Sequence, residues 1–164
     1  MCLEFVEEIS LESIKAWKLF LINNGKLESL FVNARASVDK VVPYETNKKL
    51  KAFPETATFH AFEKFEDAFF LATEDAKSTP KIILPVTLYD VVGKGRYKHR
   101  SNDAQCLNGY YPAYQGKEIV VHDSIETRKV VHRKILSFGL ERLRYSVLSN
   151  MELQSLKFLT GIGA

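Results

Sequence analysis

Lys81-Ile-Ile-Leu-Pro-Val-Thr-Leu-Tyr-Asp-Val-Val92 is the strongest strand candidate in this chain. The segment is rich in β-branched and other apolar residues, which favour strands, and it follows the turn signal Ser78-Thr79-Pro80. Pro85 has no backbone N–H to donate to a neighbouring strand, which predicts an edge position or a bulge there. The fold is therefore expected to be organised around a β-sheet.

A hairpin is predicted near the N-terminus. Residues 17–22 read Trp-Lys-Leu-Phe-Leu-Ile, residues 27–32 form a second apolar run, and Asn23-Asn24-Gly25 separates the two. An Asn-Gly pair between apolar runs is typical of the tight turn that joins two antiparallel strands. Residues 33–57 contain two prolines and are predicted to form a connection that carries one short element.

An amphipathic helix is predicted between the hairpin and the long strand, over residues 62–73. Its apolar residues recur at spacings of three and four, which places them on one helical face. They are Phe62, Phe65, Phe69 and Ala72, while Glu63, Lys64, Glu66 and Asp67 occupy the other face.

A long loop, residues 93–116, is predicted after the strand because it holds four glycines and a proline without sustained periodicity. The loop is basic and rich in tyrosine, and no acid interrupts the run from Lys94 to Arg100. Its candidate binding residues are Lys94, Arg96, Tyr97, Lys98, Arg100, Tyr110, Tyr111 and Tyr114. Positive charge beside aromatic rings is typical of surfaces that bind phosphates and bases, and of anchors in protein interfaces.

The C-terminal part of the chain predicts a strand over residues 118–122 and a helix after Gly139. Residues 130–138 are predicted to pair with that strand across a turn near Asp123 and Ser124, with a helix as the alternative. We therefore expect a single α+β domain, residues 1–164. It has a mostly antiparallel sheet, an N-terminal hairpin, one central amphipathic helix, a long basic, tyrosine-rich loop and a C-terminal helix.

The composition limits the class of protein. The 164 residues are 46% hydrophobic and 26% charged, and no apolar run approaches the roughly 18 residues of a membrane span. The first residues lack the pattern of a secretory signal, so a cytoplasmic protein is expected. Cys2 and Cys106 are expected to be free thiols, and the histidines lack the spacing of a metal site. The net charge of +3 does not by itself identify a nucleic-acid-binding protein.

Residues 57–136 resemble the poly(ADP-ribose) polymerase-like branch of the ADP-ribosyltransferase superfamily. Residues 57–61, Ala-Thr-Phe-His-Ala, are similar to the family's Gly-Ile-Tyr-Phe-Ala segment. Residues 117–123, Lys-Glu-Ile-Val-Val-His-Asp, are similar to its Asn-Glu-Tyr-Ile-Val-Tyr-Asp strand. The resemblance implies that Phe59 and Phe70 stand where two tyrosines sandwich the nicotinamide ring of NAD. It also implies that Glu118 is the catalytic glutamate, whose charge stabilises an oxocarbenium-like transition state.

The resemblance also has departures. In the region of the early strand where the family carries a histidine or arginine, this chain offers Lys18 as the residue to contact NAD. Gly116 stands where some toxin-like relatives carry Gln or Glu, which disfavours arginine modification. Residues 17–20, Trp-Lys-Leu-Phe, together with residues 59–62, Phe-His-Ala-Phe, also resemble segments of small phage and bacterial proteins, which implies an accessory or anti-defence role.

Two classes of function follow. The favoured one is a non-catalytic binding or inhibitory accessory protein, of phage anti-defence type, that needs no cofactor. It engages nucleic acid, a nucleoprotein or a protein partner through residues 94–116. The alternative is an ADP-ribosyltransferase-like enzyme that uses NAD, with Glu118 as catalytic glutamate and His60 as a candidate general base. Each residue also has a structural interpretation: Glu118 as a strand-end carboxylate, His60 as a hydrogen-bonded structural residue, and the phenylalanines as core.

Overall fold

The computed structural model of the chain describes residues 3–29, 36–37, 40–41, 43–53, 57–74, 80–98 and 110–145. Its strands are β1 (Glu4–Asn23), β2 (Lys26–Ser29), β3 (Ala36–Ser37), β4 (Lys40–Val41), β5 (Lys49–Lys51), β6 (Phe59–Phe62), β7 (Lys81–Lys98) and β8 (Tyr110–Val121). Its helices are α1 (Phe65–Glu74) and α2 (Ile125–Tyr145). The strand pairs are antiparallel, so the predicted α+β class with a mostly antiparallel sheet is confirmed.

The predicted N-terminal hairpin is present as β1 and β2. Asn23 pairs with Lys26, and the two residues between them, Asn24 and Gly25, have φ values of 50° and 73°. Positive φ at both central positions is the geometry that a two-residue hairpin turn requires, which explains the Asn-Gly pair. β1 begins well before the apolar run that signalled it, because its first half pairs with β7.

Four strands close into a ring of pairings. β7 lies between β1 and β8, and β6 pairs with the other edges of the same two strands. β2 pairs with β1 and β5 pairs with β8, so each adds a short strand to the sheet. The interior of the ring is filled by apolar and aromatic side chains, among them Phe20, Tyr44, Phe59, Leu84, Leu88, Ile119 and Val121.

A second core lies between the outside of this ring and the helices. α1 packs against β1, β6 and β7, and α2 packs against β7. The predicted helical stripe is confirmed, since Phe65, Phe69 and Ala72 are buried, although Phe62 belongs to β6 rather than to the helix. Asp67, expected on the polar face, is only 9% exposed, so its assignment to a solvated face was wrong.

The predicted loop at residues 93–116 is wrong in its extent. β7 continues to Lys98 and β8 begins at Tyr110, so that residues on both sides of 99–109 pair as strands. The glycines there serve close packing: a Cβ on Gly116 would lie 2.9 Å from Cβ of Leu88, and one on Gly93 would lie 2.6 Å from Oε1 of Gln115. Glycine is common in loops, but here it allows neighbouring strands to approach closely. Residues 99–109, including Arg100, lie outside the described part.

Pro85 lies in a central strand, not at an edge or a bulge as predicted. His122 N donates to Pro85 O over 3.0 Å, so the backbone polar groups of Pro85 face the β8 side. β8 ends at Val121, one residue before that point. The N–H that proline lacks would therefore face His122, so the missing hydrogen bond falls just beyond the last paired residue of β8.

Residues 130–138 are helical, so the predicted strand pairing was wrong and the helical alternative was correct. α2 begins with reciprocal hydrogen bonds: Thr127 N donates to Ser124 Oγ over 3.1 Å, and Ser124 N donates to Thr127 Oγ1 over 2.7 Å. The helix continues through Gly139 to Tyr145, and the part of the predicted C-terminal helix beyond Tyr145 lies outside the described residues. Within the described part, no helix combines the length and apolar character of a membrane span.

Candidate anion-binding face

Three lysines lie in register on one outer face of the sheet. The first row across four strands is Lys15, Thr87, Val120 and Lys49. The adjacent row is Ser13, Tyr89, Glu118 and Lys51. Directly opposed residues in a sheet project their side chains to the same side. We call these eight residues the lysine face.

The lysine face is open to solvent because alternation along the strands sends the apolar neighbours inward. Val86, Leu88 and Ile119 alternate with its residues and belong to the interior core. Ile83 lies on the same outer side of β7, but it is buried in the helix-side core. The lysine face lies farther along the strands: its lysines and Ser13 are exposed, and its other members are half-buried.

The charge of the face is positive. Three lysines stand against one carboxylate, Glu118, whose Oε2 lies 3.8 Å from Nζ of Lys49. The same Nζ lies 3.9 Å from the centroid of the Tyr89 ring. Exposed ion pairs contribute little free energy, so Lys49 can exchange Glu118 for an external anion at small cost. Asp90, next to Tyr89, is an exposed acid at the border of the face.

The border toward the helices adds an aromatic ring, a cation and a histidine. Trp17 continues the outward alternation of β1 beyond Lys15 and is half-buried. Lys134 of α2 places its Nζ 5.5 Å from the centroid of the Trp17 ring. His122 follows β8 and its Nε2 lies 2.7 Å from Oγ1 of Thr87. The face thus combines ammonium groups, hydroxyls and two aromatic rings, a mixture suited to anionic ligands that also carry flat groups.

Glu118, the candidate catalytic residue, does not open a strand as predicted. It lies within β8, three positions before the end at Val121, between Tyr89 and Lys51. Its described ion-pair partner is Lys49. This placement makes Glu118 the acidic member of a basic surface, and no candidate NAD-binding ring faces it.

The two predicted ring-stacking residues lie in different cores. Phe59 is 1% exposed in the interior of the ring of strands, with its centroid 5.9 Å from that of Tyr44. Phe70 packs against the helix-side core. The two rings therefore do not form two sides of one cleft in this structure, and Glu118 lies on the outer face of the sheet, away from Phe59.

Lys18, the predicted NAD contact, is buried in the interior. It is 8% exposed, and its Nζ donates to the carbonyl oxygen of His60 over 2.8 Å and lies 5.9 Å from the ring centroids of Phe20 and Tyr44. Burial lowers the pKa of Lys18 to about 8. Its described contacts join β1 to β6, so they support a structural role in closing the ring of strands.

His60, the candidate general base, belongs to a polar contact between β6 and β8. Its Nε2 lies 3.1 Å from Oγ1 of Thr58 and 3.3 Å from Nε2 of Gln115. Gln115 is its register partner in β8, and Glu118 lies three residues farther along that strand. These described partners of the His60 ring are neutral, and neither is the candidate catalytic carboxylate.

The predicted basic, tyrosine-rich run is largely committed to the fold. Tyr97, Tyr111 and Tyr114 are 7%, 3% and 7% exposed, so these three rings are not the solvent-facing stacking or interface surfaces that were predicted. Tyr97 and Tyr111 pack in the helix-side core, with ring centroids 6.4 Å apart. Tyr110 pairs with Lys98 at the end of the hairpin, and neither side chain belongs to the described part.

The two described cations of that run, Lys94 and Arg96, each lie near an acidic residue that is distant in the sequence. Lys94 Nζ lies 3.4 Å from Glu63 Oε2 and 5.1 Å from the Tyr114 ring centroid. Arg96 is exposed and lies opposite Glu4 of β1. The side-chain hydrogen bonds of Lys94 and the charge of Glu63 outweigh its desolvation and raise the pKa of Lys94. The run is therefore less positive in the fold than along the chain.

The lysine face is not visible in the sequence because its members come from four strands. Lys15, Thr87 and Tyr89 stand in no local motif, and Lys49 and Lys51 lie in the segment predicted to be a connection. The available signal was alternation: Ser13, Lys15 and Trp17 alternate with inward residues in β1, as Pro85, Thr87 and Tyr89 do in β7. Alternation identifies outward residues, but only the register brings them together.

No protein-family model, curated protein or solved structure matches this chain.

Proposed function

We propose that this protein binds nucleic acid without catalysing a reaction, as a binding or inhibitory accessory protein. The observation that carries the proposal is the in-register placement of Lys15, Lys49 and Lys51 on an open sheet face.

The physical basis is phosphate neutralisation. Each lysine that contacts a phosphate releases condensed counterions, and this gain of entropy supplies most of the sequence-independent affinity for nucleic acid. Three lysines on two adjacent rows span about 15 Å across the sheet, because four neighbouring strands are separated by three spacings of about 4.8 Å. That span matches several consecutive phosphates of one strand, which a single isolated lysine could not engage.

The proposed function does not include catalysis, because the residues that resemble an NAD site lie apart from one another. Phe59 lies in the interior core, Phe70 in the helix-side core and Glu118 on the outer face. Catalysis requires reacting groups to converge on one substrate within about 3–3.5 Å of the reacting atoms.

The test is fluorescence anisotropy with a labelled oligonucleotide over a range of salt concentrations. The triple variant Lys15→Gln, Lys49→Gln, Lys51→Gln should bind more weakly, and its salt slope should fall by about 2, at about 0.7 per lost phosphate contact on a single strand. The control triple Lys26→Gln, Lys64→Gln, Lys129→Gln changes exposed lysines elsewhere. Both triples lower the formal charge equally, from 23 − 20 = +3 to 20 − 20 = 0.

The comparison of the two triples separates a defined surface from general positive charge. Retained binding by the control triple, with loss in the lysine-face triple, supports the proposal. Equal loss in both, or an affinity that does not change with salt, would overturn it. So would a stoichiometric protein partner bound to the lysine face in place of nucleic acid.

A further inference from the structure

Two half-buried aromatic rings, Trp17 and Tyr89, lie on the same outer side of the sheet. Trp17 is the register partner of Pro85, and Tyr89 follows Pro85 by four residues in β7. At a rise of about 3.4 Å per residue, the two positions are about 14 Å apart along the strand. Lys15 lies in the row between them, opposite Thr87.

Each ring has a lysine ammonium group over it. Lys134 Nζ lies 5.5 Å from the Trp17 centroid, and Lys49 Nζ lies 3.9 Å from the Tyr89 centroid. A cation–π contact near the surface is weaker than the stacking of a nucleobase on an aromatic ring. A base can therefore replace the ammonium group, and the displaced lysine is then free to contact a neighbouring phosphate.

We propose that the ligand of the lysine face is single-stranded nucleic acid, with one base stacked on Trp17, another on Tyr89, and Lys15 on a phosphate between them. The inference rests on the proposed function and makes it more specific. A separation of about 14 Å corresponds to about four nucleotides at the roughly 3.4 Å spacing of stacked bases. A duplex is disfavoured because its base faces are covered by neighbouring pairs, whereas those of a single strand are accessible.

The test uses two ligands that carry the same phosphates. An oligothymidylate of about ten nucleotides, within the site sizes of single-strand-binding modules, is compared with an abasic oligomer of equal length. Since one stacked base contributes about a tenfold or larger gain in affinity, oligothymidylate should bind at least about tenfold more tightly. Trp17 is the sole tryptophan, so its fluorescence reports stacking directly in the unaltered protein. It should be quenched by oligothymidylate and unchanged by the abasic ligand.

A substitution then assigns the second ring. Tyr89→Leu retains an apolar side chain but removes the ring, so it should reduce the preference for oligothymidylate over the abasic oligomer about tenfold. Phe5→Leu, which alters an aromatic residue that is 72% exposed near the start of β1, is the matched control and should change neither affinity.

The outcomes separate this inference from the proposed function. Equal affinity for the two single-stranded ligands, or tighter binding of duplex without quenching of Trp17, overturns stacking and leaves nucleic-acid binding in place. Absence of binding to oligothymidylate, abasic oligomer and duplex alike overturns both. The fluorescence measurement needs no variant, so a folding defect in Tyr89→Leu does not affect it.

Discussion

Nζ of Lys49 lies 3.9 Å from the centre of the Tyr89 ring and 3.8 Å from Oε2 of Glu118. One ammonium group on β5 thus contacts an aromatic ring on β7 and a carboxylate on β8, the strand that lies between β5 and β7. This contact couples two residues about 40 positions apart in the chain. It also holds a positive charge at the centre of the open sheet face.

The Lys49–Tyr89 contact should be measurable as a coupling energy. We expect a double-mutant cycle of Lys49→Gln and Tyr89→Leu, followed by urea unfolding, to give about 0.5–1 kcal/mol, because cation–π contacts at exposed sites fall in that range. The matched cycle of Lys51→Gln with Tyr89→Leu should give a value near zero, since Lys51 lies opposite Glu118 instead. Equal coupling in the two cycles would contradict the contact.

Glu118→Gln distinguishes the two functional classes. On a nucleic-acid-binding surface, removal of the carboxylate should raise affinity for an oligonucleotide about fivefold at low salt, since a charge at about 4 Å in water interacts by about 1 kcal/mol. Glu126→Gln, exposed in α2, should change affinity less. In the ADP-ribosyltransferase interpretation, which stays a prediction, Glu118→Gln would instead abolish transfer from NAD. The absence of NAD binding by the unaltered protein would exclude that interpretation.

Lys18 should make stability depend on pH in the alkaline range. Its folded-state pKa of about 8 lies below its usual value of about 10.4, because burial disfavours the charged form. The unfolded chain therefore binds more protons between pH 8 and 10.4, and stability rises with pH across that window. The destabilisation is complete below pH 8, where it amounts to about 3 kcal/mol.

Lys18→Met should remove this pH dependence. At pH 7 the variant should gain about 1–2 kcal/mol, since the relief from burying a charge exceeds the loss of the hydrogen bond to His60 O. The measurement is urea unfolding at several pH values between 7 and 11, expressed as the difference between variant and unaltered protein. A difference that stays constant with pH would show that Lys18 does not titrate in this window.

Asp67 should destabilise the fold at neutral pH. Burial raises its pKa to about 6, Lys64 partly opposes this, and its Oδ2 has no hydrogen-bond partner among the residues that the structure describes. The unfolded chain, with a carboxyl pKa of about 3.9, binds fewer protons between pH 4 and 6, so stability falls as pH rises across that window. Asp67→Asn should therefore add about 2 kcal/mol at pH 7 and much less at pH 4.

The control for Asp67 is Glu66→Gln, which removes a charge from the same helical turn at a half-buried position. Thermal unfolding at pH 4 and pH 7 should show a pH-dependent gain for Asp67→Asn alone. An equal gain in both variants would indicate a general effect of charge on α1 instead of burial at position 67.

Gly116→Ala should destabilise the sheet. The added Cβ would lie 2.9 Å from Cβ of Leu88 and 3.1 Å from the carbonyl oxygen of Tyr89, a distance at which the strands must separate. Overpacking of this kind costs about 1–3 kcal/mol, which lowers the melting temperature by roughly 2–12 °C for a chain of this size. Ser13→Ala, at an exposed position of the same sheet, should leave it nearly unchanged.

Local patterns account for the elements that were predicted correctly. The hairpin follows from Asn24-Gly25, whose positive φ values few other pairs accept, and α1 follows from apolar residues that recur at helical spacing. Both signals act between residues close in sequence. The α+β class could be predicted for the same reason, since it needs only the type and order of the elements.

The candidate site could not be predicted, because its determinants act between distant residues. In the sequence, Gly116 indicates a loop, but in the fold it allows close contact with Leu88. Lys94 belongs to a run without acids in the sequence, but in the fold it lies beside Glu63. Tyr97 and Tyr111 are buried in the helix-side core and Tyr114 in the interior core, because β7 and β8 pack against distant parts of the chain.

The sequence by itself determined which residues face outward in each strand, because alternation is a property of the extended backbone. The tertiary structure alone decided which outward residues become neighbours. Strand register is set by turns and by packing across the whole sheet, and it places Lys15, Lys49 and Lys51 on one face while burying Lys18 inside the ring of strands. One charge from β1 is thus exposed and another is enclosed, although they are only three residues apart.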